Sequence, residues 1–230
     1  MKGLIIFVIS AAQRVEKVPP ISQHPPAQLE AARLDALRKL DLLDTPSNEA
    51  FDRITRMAAQ LFGLPIAAVS LTDVDRQWFK SRVGVDTDRM PRHDAPCAEV
   101  TLTNQMLVID DLRASAAYRD STLAGTGARF YAGAPLMTRD GYCLGSMCVV
   151  GTEPRGISAQ ERTGLADLAA MVMAQIELQH AIGRIDPVSG VPNRHQFVDD
   201  LADLAIDRPG GEARLAALVN LASPGQMSSA

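Results

Sequence analysis

Apolar side chains recur at helical spacing in the first third of the chain. Leucines spaced along residues 27–43 predict a first helix with one buried face. A second helix is predicted over residues 47–62, capped by Ser47 or Asn48 and stopped by Gly63. Its predicted buried face comprises Phe51, Ile54, Met57, Ala58 and Leu61.

Short β-branched and alternating runs then replace the helical pattern. Strands are predicted at residues 66–71, 77–83, 106–109, 129–137 and 142–150. Asp140-Gly141 predicts a hairpin between the last two strands. The segments at residues 85–104 and 112–127 are predicted to be irregular, the second with one helical turn.

The second predicted strand has alternating faces. Strict alternation assigns Trp78, Lys80 and Arg82 to one face of the sheet. Phe79, Ser81 and Val83 are then assigned to the other.

A long third helix is predicted from Ser158, whose capping box with Glu161 marks its start, to about Ile185. Its seam has the 3.5-residue period of a coiled coil: Leu165, Leu168, Val172, Gln175, Gln179 and Ile182. Two readings remain open, a helix that pairs in a dimer and a helix packed on its own sheet. Helices that flank an antiparallel sheet define an α+β fold.

Composition narrows the classes of partner. The 230 residues are 47% hydrophobic with a net charge of -4, and no Lys/Arg block predicts nucleic-acid binding. Three scattered cysteines favour reduced thiols in the cytoplasm, and the sequence offers no metal-ligand spacing or cofactor motif. Residues 1–26 contain an apolar run too short to span a membrane and two Pro-Pro pairs, so we expect a flexible segment and no membrane partner.

Six segments together resemble the GAF domain, a small-molecule sensor module of bacterial signalling proteins. In sequence order they read LLDTP (42–46), FDRIT (51–55), VSLTD (69–73), RQWFKS (76–81), RFYAGAPL (129–136) and LGSMCVV (144–150). The resemblance implies an antiparallel sheet of five or six strands with helices on one face. It also implies a ligand pocket on the other face, under the loops at residues 85–104 and 112–127.

This resemblance, together with residue chemistry, selects the candidate ligand-binding residues Trp78, Phe79, Cys97, Asp111, Arg129 and Tyr131. Trp78 is either a stacking surface for a flat ligand or a packing residue. Arg129 either pairs with a ligand anion or forms an ion pair with Asp110 or Asp111. Asp111 is either a pocket residue or a turn cap.

Cys97 has three candidate roles: a buried small residue, a redox thiol or a chromophore attachment site. Ala98 stands where bilin attachment usually has His, which argues against the third role. Cys148 and Cys143 are predicted to be core residues. Another branch of the family reduces free methionine sulfoxide through cysteines, and the three cysteines keep that activity as an alternative.

The stretch DPVSGVPNR at residues 186–194 closely resembles the entry turn of a GGDEF (diguanylate cyclase) domain. The positions of the metal-binding Asp-x-Asp pair in that family hold Asn220 and Ala222, and Asn is a poor ligand for Mg²⁺. The sequence ends at Ala230, so we expect a truncated domain with no catalytic residues, no metal site and no cyclase activity.

The expected organisation is a flexible segment (1–26), a GAF domain (27–179), a linker (180–193) and an incomplete GGDEF fragment (194–230). The expected function is that of a sensor without enzyme activity. It would bind an unidentified small molecule and form a homodimer through its terminal helices, with a GGDEF-containing partner as a further candidate. The alternative is a ligand-free dimerisation scaffold.

Overall fold

A computed structural model describes residues 26–184 of the chain. The boundary between the two compact units of the chain follows His180, so the fold described is that of the first unit together with the last four residues of α5. Its helices are α1 (Pro26–Lys39), α2 (Glu49–Phe62), α3 (Pro96–Thr103), α4 (Thr122–Gly125) and α5 (Ala159–Arg184). Its strands are β1 (Ile66–Thr72), β2 (Arg76–Val83), β3 (Arg89–Pro91), β4 (Leu107–Ile109), β5 (Phe130–Met137) and β6 (Cys143–Gly151).

The six strands form one antiparallel sheet in the order β3-β2-β1-β6-β5-β4. The hairpins β1–β2 and β5–β6 meet at the centre, where β1 pairs with β6 and Ala68 stands opposite Cys148. Gly141 adopts a φ of 86° in the turn between β5 and β6, as the Asp-Gly pair predicts. The fold is therefore α+β with a six-stranded antiparallel sheet, in agreement with the expectation from the sequence.

One face of the sheet packs against α1, α2 and α5 in the main hydrophobic core. The other face is covered by α3, α4 and the loops around them in a second, smaller core. The two faces differ in their cover: the first carries the long helices α1, α2 and α5, and the second carries short helices and loops. In residues 26–184, no helix is long and apolar enough to cross a membrane.

The α2 helix begins and ends where the sequence predicts. Asn48 Oδ1 accepts the Ala50 amide at 2.9 Å, and Gly63 ends the helix with a φ of 60°. The predicted buried face needs a correction, since Met57 is 45% and Leu61 63% exposed. The buried stripe instead passes through Thr55 and Phe62, which continue the spacing of Phe51, Ile54 and Ala58.

The first helix ends at Lys39, four residues before the predicted end. The amide of Leu40 bonds the Leu37 carbonyl and that of Asp41 the Arg38 carbonyl, which tightens the last turn. Asp41 and Asp44 then adopt left-handed φ values of 49° and 57°. The predicted helix was too long because Leu42 and Leu43 continue the leucine spacing. Both side chains reach the core from the turn that follows the helix.

The prediction that residues 85–104 are irregular is wrong. They contain β3, a 3-10 turn at Arg92–Asp94 and α3. The start of α3 lacks a side-chain cap: Ala95 is the N-cap and Pro96 supplies the first turn. In contrast, the predicted helical turn within residues 112–127 is confirmed as α4, with Ser121 Oγ accepting the Ala124 amide at 3.2 Å.

A β-bulge corrects the predicted alternation of β2. Ser70 pairs with Phe79 and Val69 with Ser81, so Lys80 is the extra residue. Ser81 therefore turns to the helical side, where its hydroxyl donates to Asp52 Oδ1 at 2.6 Å. Phe79 keeps its place on the opposite face.

The α5 helix begins with the predicted capping box. The Glu161 amide donates to Ser158 Oγ at 3.2 Å, and the Ser158 amide donates to Glu161 Oε2 at 2.8 Å. Leu165, Leu168 and Val172 of the predicted seam are buried in the main core. This half of the seam therefore packs on its own sheet, the second of the two readings.

Candidate functional site

A cavity of about 580 Å³ lies on the face of the sheet that carries α3 and α4. Its size falls in the range of small-molecule pockets. Its lining residues come from all layers around that face: Ile66, Ala68, Phe79, Gly84, Val85, Asp86, Thr87, Arg89, Met90, Pro91, Pro96, Cys97, Thr122, Leu123, Thr126, Cys148 and Val150.

The central strands form the floor of this cavity. Ala68 of β1 lies opposite Cys148 of β6, and Ile66 opposite Val150. Strand alternation directs these four side chains to the cavity face while Val69 and Val149 enter the main core. Small side chains at the centre leave room above the sheet, which is why the cavity opens there.

Gly84 shapes the wall after β2. Its φ is 72°, and a Cβ at this position would lie 2.1 Å from the Pro65 carbonyl oxygen. Only glycine fits this close approach without a shift of the backbone. The turn starts the segment at residues 85–91, from which Val85 and Met90 line the cavity.

Two thiols meet at the cavity. The Sγ atoms of Cys97 from α3 and Cys148 from β6 are 3.9 Å apart, and both residues are buried. Tyr131 of β5, on the same face of the sheet, donates its hydroxyl to Cys97 Sγ at 3.3 Å. Gly133 makes room for this hydroxyl, since a Cβ there would lie 2.2 Å from it.

The surroundings of the two thiols shift their pKa values in opposite directions. The hydrogen bond with Cys148 lowers the pKa of Cys97, with further lowering from Ser146, Tyr131 and Ser70, against the opposing effect of burial. The same hydrogen bond and burial raise the pKa of Cys148. Burial raises the pKa of Tyr131, so its hydroxyl stays a proton donor.

Of the residues predicted from the sequence, Phe79 and Cys97 line the cavity. Tyr131 is buried next to it through its bond to Cys97. Asp111 and Arg129 lie outside the cavity lining and form a two-pronged ion pair, with Nε to Oδ1 at 2.7 Å and Nη2 to Oδ2 at 2.6 Å. The ion-pair reading of Arg129 is the one that the geometry supports.

Trp78 lies on the opposite face from the cavity. It packs in the main core and borders a smaller polar recess of about 360 Å³. The ammonium group of Lys80 lies 5.7 Å from the Trp78 ring centre and donates to Thr45 Oγ1 at 2.5 Å and the Pro46 carbonyl at 2.9 Å. Trp78 therefore has the geometry of a packing residue, and it does not line the cavity as Phe79 and Cys97 do.

Sequence reasoning missed Cys148 and Ala68 as site residues, because both belong to strands with continuous apolar character. The missing signal was the packing of α3 against β6, which brings Cys97 to Cys148 and leaves no mark in the local sequence pattern. Within residues 26–184, no group of three or more His, Cys, Asp or Glu side chains is arranged to hold a metal ion. The arrangement provides an apolar cavity with two adjacent thiols at its base.

Comparisons with known proteins agree with this architecture. A family model described as the GAF domain matches residues 47–176. A curated cyclic di-GMP phosphodiesterase of Pseudomonas aeruginosa is 35% identical over 191 residues, which cover 82% of this chain and 32% of that protein. The chain thus spans about a third of the length of this relative.

Two solved structures share the fold at low sequence identity. The GAF domain of a phosphoenolpyruvate-protein phosphotransferase from Coxiella burnetii aligns with a TM-score of 0.52 and 15% identity, over 66% of this chain and 96% of that chain. The GAF domain of the corresponding Acinetobacter protein aligns with a TM-score of 0.50 and 17% identity, over 67% and 98% respectively.

Proposed function

Because the chain belongs to the GAF domain family, we propose that residues 27–179 form a sensor domain that binds one small molecule in the cavity above β1 and β6. The observation that carries this proposal is the cavity of about 580 Å³ itself, enclosed by strands on one side and by short helices and loops on the other. Binding residues are commonly placed on loops over a rigid sheet.

The cavity lining supports a ligand with an apolar body and a polar end. Ala68, Phe79 and Val150 present apolar surface, whereas Asp86 and Arg89 are exposed at the segment that closes one side. Charged groups that stay in water suit the polar end of a ligand, while the apolar body fills the dry part of the site. Such a ligand would be bound mainly by burial of its own apolar surface.

The floor of the cavity connects the ligand to α5. Val69 and Val149 alternate with the cavity residues on the same strands and belong to the core that contains Leu165 and Val172 of α5. A ligand that shifts β1 against β6 would change the packing surface offered to this helix. Binding would then bias the geometry of α5, as two-state signalling elements require.

We infer a role in cyclic di-GMP signalling from the likeness to the Pseudomonas aeruginosa phosphodiesterase. Residues 186–230, with the stretch that resembles a GGDEF entry turn, lie outside the described residues, and a GGDEF-type output remains part of the proposal. We propose that this chain alone neither makes cyclic di-GMP from GTP and Mg²⁺ nor hydrolyses it. Formation or loss of the dinucleotide, measured by chromatography, would contradict this proposed lack of enzyme activity.

Thermal-shift screening of the purified chain against nucleotides and small metabolites tests the binding proposal. A specific ligand should raise the melting temperature of the wild type, because it binds the folded state alone. Ala68→Leu should lower the affinity for this ligand by about tenfold or more, since the larger side chain enters the cavity. Leu102→Ala is the matched control on α3, because Leu102 is 80% exposed and outside the cavity lining.

A ligand-free scaffold is the second candidate function. Exposed apolar side chains on two helices favour it: Met57 and Leu61 on α2, and Met171 and Leu178 on α5. Such surfaces commonly mark sites of protein association. A stable dimer with no ligand in the same screen would favour the scaffold over the sensor.

A further inference from the structure

Cys97 and Cys148 form an unusual pair for a cavity that is otherwise apolar. They come from α3 and β6, far apart in the sequence, yet their Sγ atoms are 3.9 Å apart. Both residues line the cavity, so we expect a small molecule that enters it to reach their sulfurs. A disulfide needs a sulfur–sulfur distance of about 2.05 Å, so bond formation requires an approach of roughly 1.8 Å.

The third cysteine provides an internal comparison. Cys143 is buried and lies outside the cavity lining, and its thiol donates to the Gly145 carbonyl at 3.2 Å. Burial raises the pKa of Cys143, whereas that of Cys97 is lowered. Thiolates are the reactive form of cysteine, so Cys97 differs from Cys143 in both access and acidity, while Cys148 differs from Cys143 in access.

Hydrogen-bond donors surround Cys97. Tyr131 donates to its sulfur at 3.3 Å, and the Cys148 sulfur is its nearest thiol neighbour. Ser146, next to this cluster on β6, has a fully buried hydroxyl that makes no hydrogen bond in the described geometry, yet it lies close enough to Cys97 to lower the pKa of that thiol. An unused hydroxyl at this point is available to a negative charge on Cys97, which would offset the cost of its burial.

We propose that Cys97 and Cys148 are a redox modification site, which closes to a reversible disulfide when a peroxide enters the cavity. The proposal does not depend on which ligand the cavity binds. The two thiols supply the two electrons, and the peroxide is the oxidant.

The reaction has two balanced steps. The Cys97 thiolate attacks one oxygen of hydrogen peroxide, and the O–O bond breaks as hydroxide departs. The product is a sulfenic acid on Cys97. Cys148 then loses its proton to that hydroxide, which becomes water, and its sulfur attacks Cys97. The S–S bond forms as the S–O bond breaks and a second hydroxide departs. A dithiol reduces the bond back to two thiols by exchange and is itself oxidised to a disulfide.

Closure of this bond would link α3 covalently to the central strand β6. Pro96 and Cys97 form one wall of the cavity, so drawing Cys97 towards Cys148 moves that wall towards the floor. The oxidised domain should therefore have a smaller cavity than the reduced one. A bound ligand would also shield both sulfurs from the oxidant.

The first test is a titration of the full, reduced chain with hydrogen peroxide, followed by peptide mapping without reduction. We expect two thiols per chain to disappear together, a Cys97–Cys148 linked peptide to form, and dithiothreitol to restore both thiols. The proposal is wrong if Cys97 and Cys148 stay reduced while surface methionines are oxidised. It is also wrong if the bond that forms includes Cys143.

Variants separate the roles of the two sulfurs. Cys148→Ser should prevent the disulfide and leave Cys97 as a sulfenic acid that dimedone captures, whereas Cys97→Ser should slow oxidation of Cys148 by about tenfold or more. Cys143→Ser is the matched control and should still form the bond at the wild-type rate. Equal dimedone labelling of Cys143 and Cys97 would overturn the assignment. If a variant fails to fold, the linked-peptide result from the wild type decides alone.

Discussion

At the scale of single residues, Gly133 permits the contact that joins β5 to the thiol pair. The Tyr131 hydroxyl occupies the space where a side chain at position 133 would begin, and from there it reaches Cys97 Sγ. The tyrosine is 1% exposed, so a displaced ring would disturb the packed side chains around it. The glycine at position 133 is therefore required for the hydrogen bond between Tyr131 and Cys97.

Gly133→Ala should lower the free energy of unfolding by about 1–3 kcal/mol, because the new methyl group displaces Tyr131 in a full core. Urea denaturation measures the change. Gly156→Ala is the control, since a Cβ at position 156 meets nothing within 4 Å, and its effect should stay within about 0.5 kcal/mol. Equal effects of the two substitutions would contradict this account of Tyr131.

The ion pair of Asp111 with Arg129 should make stability depend on pH. The hydrogen bond from Arg129 lowers the pKa of Asp111 to about 2. A lowered carboxyl pKa stabilises the fold above the ordinary pKa of Asp, and this contribution is lost as the pH falls towards 2.

Asp111→Asn should therefore unfold at lower urea concentration than the wild type near neutral pH, and the difference should shrink between about pH 4 and about pH 2. Asp110→Asn, an exposed neighbour, is the control and should show no such trend. A difference that stays constant down to the acid limit would exclude the ion pair as its cause.

Local pattern predicted the chemistry of single residues better than their placement. Asp110 and Asp111 at the end of one predicted strand and Arg129 at the start of another were enough to suggest an ion pair. The face of Ser81 depended on a bulge opposite Val69 and Ser70, and a period of two in one strand carries no information on an extra residue. Cys148 could not be linked with Cys97 because their proximity depends on the packing of α3 against β6, which are far apart in the sequence.

At the scale of elements, α5 has two apolar stripes with different roles. Leu165, Leu168 and Val172 pack on the sheet. Met171, Ala174 and Leu178 follow the 3-4 spacing of a helix seam on the exposed side. The proposed homodimer would use this second stripe, because the first is already occupied by the core of its own chain.

Leu178→Glu should shift a dimer to monomer, since a charge in an apolar seam is left without a partner. Size-exclusion chromatography with light scattering measures the mass. Leu102→Glu places the same charge at an exposed leucine on α3 and should leave the mass unchanged. A dimer that survives Leu178→Glu would place the interface elsewhere.

Elements with strong end signals were predictable, and those without them were not. The α2 and α5 helices carry side-chain caps and a terminal glycine or a capping box. The α3 helix begins at Ala95 and Pro96 with no side-chain cap, so its eight residues resembled a loop. This helix carries Cys97, and the missed element therefore hid part of the site.

At the scale of the whole molecule, the sheet separates two differently packed layers. Its helical face contains the larger core and fixes α5, while the opposite face is covered lightly and leaves the cavity. The sequence identified the layers and the side of the pocket through a family resemblance. The full set of lining residues could not be predicted from this resemblance, because the strands, helices and loops that supply them come together only in the folded chain.

Native mass spectrometry of the full chain, purified under reducing conditions, tests the central claim most directly. A small molecule bound one per chain should appear as added mass on the wild type. It should be absent from Ala68→Leu and retained by Leu102→Ala. A wild type that carries no added mass, before or after incubation with metabolite extract, would contradict the proposal that the cavity is a ligand site.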